Sequence, residues 1–309
     1  MAQENFKVSN TAPSGLFLRS EPIVKEATKI AVLPMGHKVK KLAESDTPKW
    51  WKVSTTLGGS EMTGFVNSTF LTAVADFVAP ESVNRIKEVH LKRTAAVMRS
   101  NKAFAFALNE AGQPMRDPNA SAANKVRKLT EIVEWLDVEN TNHLRYKRLP
   151  NATYCNIYAY DYCFLAQVYL PRVWWTSKAL INLKAGRNVV PVYGETVHEM
   201  NANSLLIWLK DFGADFGWRR TASIDEIQNA ANNGQVVVVS AQNKIPNRSG
   251  HICAVVPETA SHKAVRSGGQ VIKPLQSQAG ARNFKYRTEK WWIVAASTFR
   301  EHGFWINEK

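Results

Sequence analysis

At Gly234 the chain changes period. Between Leu144 and that glycine the segments have helix length; beyond it they are short and rich in Val, Ile and aromatic residues. Helices are expected over residues 154–168, 176–184, 201–211 and 224–232, the last opened by Ser223 with Glu226 at the spacing of a capping box. Strands are expected over residues 236–240, 251–256, 271–276 and 291–296. Helices segregated before an antiparallel sheet define an α+β domain.

The first part of the chain reads differently. From Lys7 to Val74 short alternating runs are broken by Gly, Pro and Ser: residues 15–20, 31–39, 50–54 and 64–71. That pattern predicts a small all-β unit. Between Asp76 and Asn142 Gly and Pro become sparse. Ser82 is placed to cap a helix carrying Val83, Ile86, Val89, Ala96 and Val97. After breaks at Gly112-Gln113-Pro114 and Asp117-Pro118, a second helix runs through Val126, Leu129, Ile132, Val133 and Leu136. The expected organisation is a β unit over 1–76, a helical connector over 77–143, and a chemistry-bearing domain over 144–309 against which the connector packs.

With 309 residues the chain is long enough for two domains of ordinary size. Forty Lys and Arg against 26 Asp and Glu give a net charge of +14, which suits a polyanionic partner. No RRM, zinc-finger or helix-turn-helix pattern accompanies the dispersed basic residues, so nucleic acid is not the expected partner. No run approaches the roughly 20 apolar residues of a membrane span. Residues 1–30 show no basic n-region leading into an apolar core, so no Sec signal is visible. Export by another route, phage-type release, or a leader missing from this chain is expected.

Two residues carry the chemistry. Cys155 stands where a polar lead-in, Thr153-Tyr154, enters a helix, and His251 follows Gly250 at the start of a strand. A cysteine nucleophile needs a base in reach, a group that orients the base, and donors for the oxyanion. Strand alternation points His251, Cys253 and Val255 to one face, from which the imidazole could meet the helix-start thiol. If they meet, imidazole and helix N-terminus should lower the thiol pKa. Cys163 and Cys253 are expected as reduced packing residues, since three cysteines make no disulfide framework and no zinc spacing. His198 beside Glu199 lacks ligand spacing, so no metal or other cofactor is expected.

Residues 144 to about 285 resemble the papain-like peptidoglycan hydrolases of the NlpC/P60 and CHAP group, through TYCNIYAYDY around Cys155 and SGHICAVV around His251. The first unit resembles a bacterial SH3 domain, through LFLRSEP, LPMGHKV, WWKV and GFVNSTFL in that order. The first resemblance implies a papain-like helix-plus-antiparallel-sheet domain. The second implies an SH3-like β-barrel that binds cell-wall peptides or another ligand without catalysis. CHAP-type members carry an acidic residue and an Asn on the later strand where this chain has Gln276 and Gln278, and the DCSG signature of common NlpC/P60 members is absent. A neutral amide can still orient an imidazole. Gln278 is the first choice for that role and Gln276 the second. Tyr146 is similar to the tyrosine often supplied upstream of the nucleophile as an oxyanion donor, with Asn151 competing. Trp174 and Trp175 are either core or the aromatic wall of a substrate groove.

The expectation is a bacterial cysteine peptidase or amidase, cutting an amide bond of the peptidoglycan stem peptide at the cell wall or in the periplasm, with peptidoglycan and the anionic envelope as partners. The alternatives are a noncatalytic envelope-binding protein and a thiol acyltransferase or protease effector acting on another substrate.

Overall fold

The computed structural model describes residues 5–79, 86–294 and 297–309. Seven short strands open the chain: β1 (Asn5–Val8), β2 (Leu16–Arg19), β3 (Lys29–Leu33), β4 (Lys38–Glu44), β5 (Trp50–Leu57), β6 (Ser60–Asn67) and β7 (Leu71–Ala73). They form one antiparallel sheet in the order β3-β2-β6-β5-β4-β1-β7. Among the described residues no ladder joins β3 to β7, so the expected closed barrel is an open sheet. Its alternating apolar residues, Val8, Leu18, Leu33, Val39, Val53 and Val66, form a core of their own.

The connector is helical only in its second half. Helix α1 (Ala122–Leu136) buries Leu129, Ile132, Val133 and Leu136, a spacing that lines one helical face, and Ser121 Oγ accepts from the Asn124 N–H. The helix expected upstream is absent over residues 86–121; Ser82 and Val83 lie outside the described residues. Its apolar residues serve a different purpose. Val89, Ala105 and Leu108 are pressed into the same core as α1, and the backbone finds partners off its own segment. Val89 N–H donates to Tyr169 Oη at 3.1 Å, and the Arg145 N–H donates to the Arg99 carbonyl at 3.1 Å. Extended backbone satisfied by distant groups replaces the helical ladder.

The remaining chain is mixed, with five α-helices among the described residues. In order come α2 (Cys155–Leu165), β8 (Val173–Trp175), α3 (Ser177–Lys184), β9 (Val197–Glu199), α4 (Ala202–Asp211), β10 (Trp218–Thr221) and α5 (Ile224–Asn232). Next are β11 (Val236–Asn243), β12 (His251–Val255), β13 (Val265–Ser267), β14 (Gln270–Lys273), β15 (Leu275–Gln278), β16 (Phe284–Thr288), α6 (Trp291–Val294) and β17 (Phe299–Asn307). The four helices expected from the sequence in this part all form. Ser223 caps α5 by accepting from the Glu226 N–H, but the Glu226 carboxylate turns to Thr221 and Arg219 and does not close a reciprocal box. Residues 291–294, expected as a strand, are the short helix α6, and the last strand is β17. Ala295 and Ala296, at the end of that expected strand, lie outside the described residues.

One antiparallel sheet, ordered β10-β17-β11-β12-β15-β16, organises this part. Ile252 and Ala254 of β12 pack in the core with α2 and α4, while Cys253 and Val255 pack in a second core with α5 residues Ile227 and Ala231. A sheet buried on both faces explains the unbroken Val236-Val237-Val238-Val239 run, where simple alternation would have left one face polar. Helix α2 is apolar nearly all round and correspondingly enclosed. Its one charge, Asp161, is fully buried and held by Arg145 through Nε at 2.6 Å and Nη2 at 2.8 Å.

Candidate active site

The N-terminus of α2 sets the position of the thiol. Cys155 is its first residue, 3% exposed, and lines a cavity of about 190 Å³ with Thr153, Asn156, Arg172, Glu199 and Ser249. A helix leaves its first N–H groups unpaired, and the backbone N–H groups of Ile252, Asn156 and Cys155 favour the thiolate. Burial nevertheless dominates and pushes the thiol above its ordinary range, with these three donors pulling the other way. The sequence-based expectation of a depressed thiol pKa is therefore corrected: desolvation outweighs the helix-end donors.

His251 is placed by the β11–β12 pair, in which Ala241 lies opposite it. The preceding glycine is obligatory on steric grounds. A Cβ on Gly250 would stand 2.2 Å from the Ala241 carbonyl oxygen and 2.5 Å from Asn203 Oδ1. Asn203 itself ties the loop down, donating to the Arg248 carbonyl and accepting from the Asn243 N–H.

The imidazole Nε2 lies 2.6 Å from Gln278 Oε1, and the Gln278 amide donates in turn to the Arg282 carbonyl at 3.1 Å. Since a carbonyl accepts only from the NH₂ side of the amide, Oε1 faces the histidine and Nε2 must carry the hydrogen. Nδ1 is then the basic nitrogen. Burial holds the imidazole below its ordinary pKa, with the Gln278 hydrogen bond offsetting part of that. Trp291 stands edge-on to the ring at 4.6 Å and 83°. Gly280 packs so closely that a Cβ there would come within 3.2 Å of His251 Cε1. Ring, amide and indole border a second cavity of about 350 Å³, with Phe284 and Phe299.

Cys155 and His251 belong to different faces of β12: α2 packs on the face of Ile252 and Ala254, whereas the His251 ring packs against Trp291, an indole of the second core with Cys253 and Val255. Among the described residues they share no hydrogen bond, and they border different cavities.

The other expected residues divide. Gln278 reaches His251. Gln276 does not: its Oε1 accepts from Cys253 Sγ at 3.1 Å and Trp291 Nε1 at 2.9 Å, so it fixes the indole that flanks the imidazole. Tyr146, expected as an oxyanion donor, is 1% exposed and gives its hydroxyl to Asp161 at 2.9 Å, deep along α2. Asn151 is exposed on the turn before the helix and does not border the Cys155 cavity. Trp174 and Trp175 are 4% and 5% exposed; Trp174 packs among Tyr169, Trp208, Phe212 and Phe216, so the pair is core and not a groove wall. Cys163 and Cys253 are free and buried. His198 belongs to no group of three metal-ligating side chains among the described residues.

Sequence patterns alone passed over Trp291, Arg172 and Glu199. The Trp291-Trp292 doublet was the available signal for the first, but β-propensity assigned it to a strand. Arg172 and Glu199 meet across β8 and β9 at 2.8 Å, a pairing without local trace in the sequence.

No family model matches this chain, and neither a curated protein nor a solved structure shows significant similarity to it.

Proposed function

We propose that this protein is a cysteine hydrolase of papain-like type that cuts an amide bond of the peptidoglycan stem peptide, with an SH3-like first unit for wall attachment. One observation carries the reading: a histidine whose Nε2–H is fixed by an oriented amide, leaving Nδ1 basic, on the strand against which the helix beginning at Cys155 packs.

This reaction requires the imidazole to come within reach of the thiol; His251 Nδ1 then takes the thiol proton as sulfur attacks the carbonyl carbon. The unpaired N–H groups at the start of α2, those of Cys155 and Asn156, would receive the oxyanion. The imidazolium then protonates the leaving amine, and water resolves the thioester. A raised thiol and a lowered imidazole favour the neutral pair at rest, so proton transfer accompanies attack. The Arg172–Glu199 pair gives the Cys155 cavity charges of both signs, suited to a peptide bearing carboxylate and amine groups. The basic surface suits an anionic wall, the proposed place of action.

Digestion of purified sacculi with wild-type and Cys155→Ala protein, followed by mass spectrometry of released fragments, tests the proposal. Wild type should release amide-cleavage fragments and the variant, with unchanged melting temperature, none; fragments from both would overturn it. The separate cavities of Cys155 and His251 favour a second reading, a noncatalytic envelope-binding protein. Sedimentation of intact protein with sacculi, without fragment release by wild type, would support that one.

A further inference from the structure

Positive charge gathers where the first sheet faces β17. A cavity of about 590 Å³ is lined there by Arg19, Lys25 and Lys29 on one side and Lys244, Arg300 and His302 on the other. Two acids share it, and both are already engaged. Glu26 holds Lys29 Nζ at 2.7 Å and His302 Nε2 at 3.0 Å. Glu301 holds Lys210 Nζ at 2.8 Å and Arg220 Nη2 at 2.9 Å. Lys25, Lys244 and Arg300 have no carboxylate within ion-pair distance among the described residues.

The wall behind them is built. Arg19, 6% exposed, gives Nη1 to the Lys25 carbonyl at 2.6 Å and to Thr28 Oγ1 at 3.1 Å, both neutral acceptors, with Glu26 the acid that acts on its charge. Lys29 is packed over the Phe17 ring at 4.3 Å, and burial holds its ammonium below the ordinary range against the pull of Glu26, with Arg220 and Arg19 adding like-charge repulsion. The Cys155 cavity contains one Arg and one Glu, and the His251 cavity likewise one Arg and one Glu. The junction therefore stands apart in its uncompensated charge.

We infer that this cavity binds a multivalent phosphate oxyanion, taken by Lys25, Lys244 and Arg300 from two facing walls. A single carboxylate is satisfied by one arginine fork; three unpaired cations on opposed walls match an anion with more than one charge and acceptors in several directions. The inference does not depend on the thiol chemistry of Cys155.

Calorimetric titration of the full chain with inorganic pyrophosphate, and separately with linear polyphosphate, tests it. Saturable binding to wild type is expected. Lys25→Glu with Lys244→Glu should weaken it by about tenfold or more, each tenfold corresponding to about 1.4 kcal/mol. Lys38→Glu with Lys52→Glu changes net charge equally on exposed strand positions outside the cavity, and should leave affinity within about twofold at fixed ionic strength. Cys155→Ala should bind as wild type does. Binding of both probes identifies a small phosphate anion as sufficient, and binding of polyphosphate alone assigns the cavity to a phosphate polymer. Equal loss in the two double variants, or no saturable binding of either probe, would overturn the inference. Thermal melts of each variant separate lost binding from lost folding.

Discussion

His251 and Gln278 are joined by a 2.6 Å hydrogen bond whose direction is fixed by a third group, the Arg282 carbonyl that accepts from the same amide. The bond decides which ring nitrogen is basic without placing a negative charge beside the imidazole. A carboxylate in that position would hold the imidazolium more strongly.

Replacing Gln278 separates these effects. Gln278→Ala should lower kcat by roughly 10–100-fold, a fraction of what general-base catalysis supplies, with KM little changed. Gln278→Glu should restore orientation but raise the His251 pKa, moving the acid limb of the rate profile to higher pH. In wild type that limb should lie below the ordinary histidine range, because the buried ring loses its proton early. Steady-state rates on a defined stem peptide across pH check both; an unmoved limb in the Glu variant would remove His251 from the rate law.

The thiol should titrate in the opposite sense. Burial raises Cys155, so its thiolate fraction at neutral pH falls short of that of an exposed cysteine. Iodoacetamide should therefore react slowly at neutral pH and faster as pH passes the ordinary thiol range. Cys155 should react before Cys253, which burial pushes to about 12, and before Cys163, pushed higher still. Peptide mapping of partially alkylated protein gives the order; labelling of Cys163 first would contradict the burial argument.

Asp161 anchors α2 beneath the site. It is fully buried, clasped by Arg145 and receiving the Tyr146 hydroxyl. Asp161→Ala leaves the guanidinium without its partner and should cost about 3–5 kcal/mol in urea unfolding. Arg145→Met combined with Asp161→Leu removes both charges and should cost distinctly less. A double variant as unstable as the single one would mean that the pair contributes more than mutual compensation.

Glu258 should give the fold an acid-sensitive contact. Arg266 first, then the Ala264 N–H and Asn232, hold its carboxyl at about 2 despite partial burial. The folded pKa lies below the unfolded value of about 4.3. Its stabilisation is therefore complete above that value and is lost as pH falls toward 2. Glu258→Gln should cost roughly 1–2 kcal/mol at pH 7, less than the full shift implies because Arg266 is solvent-exposed. The difference from wild type should close as pH approaches about 2, read from urea midpoints across that window.

The division between local and tertiary information runs through the site. Local sequence is enough for the helix that begins at Cys155, the strand that begins at His251, the helix caps, and the Gly234 boundary, because each rests on periodicity or on one residue's backbone preference. Gln278 as a partner for the histidine came from the resemblance to the NlpC/P60 and CHAP group, which marks the later strand as the place of the orienting residue. The upstream connector was misread because Val89 and Leu108 are apolar for contacts with α2 and its neighbours and not for a helix of their own. For Trp174 and Trp175 the sequence left core and groove wall both open and the structure makes them core, whereas Trp291 borders the imidazole; aromatic character is local, but the surface it meets is not. Long-range packing sets how deeply Cys155 is buried and reverses the expected direction of its pKa, because desolvation depends on every segment packed around the sulfur. It alone also set lysines and arginines from distant parts of the chain across one cavity, since charges far apart in sequence become a site only when two surfaces meet.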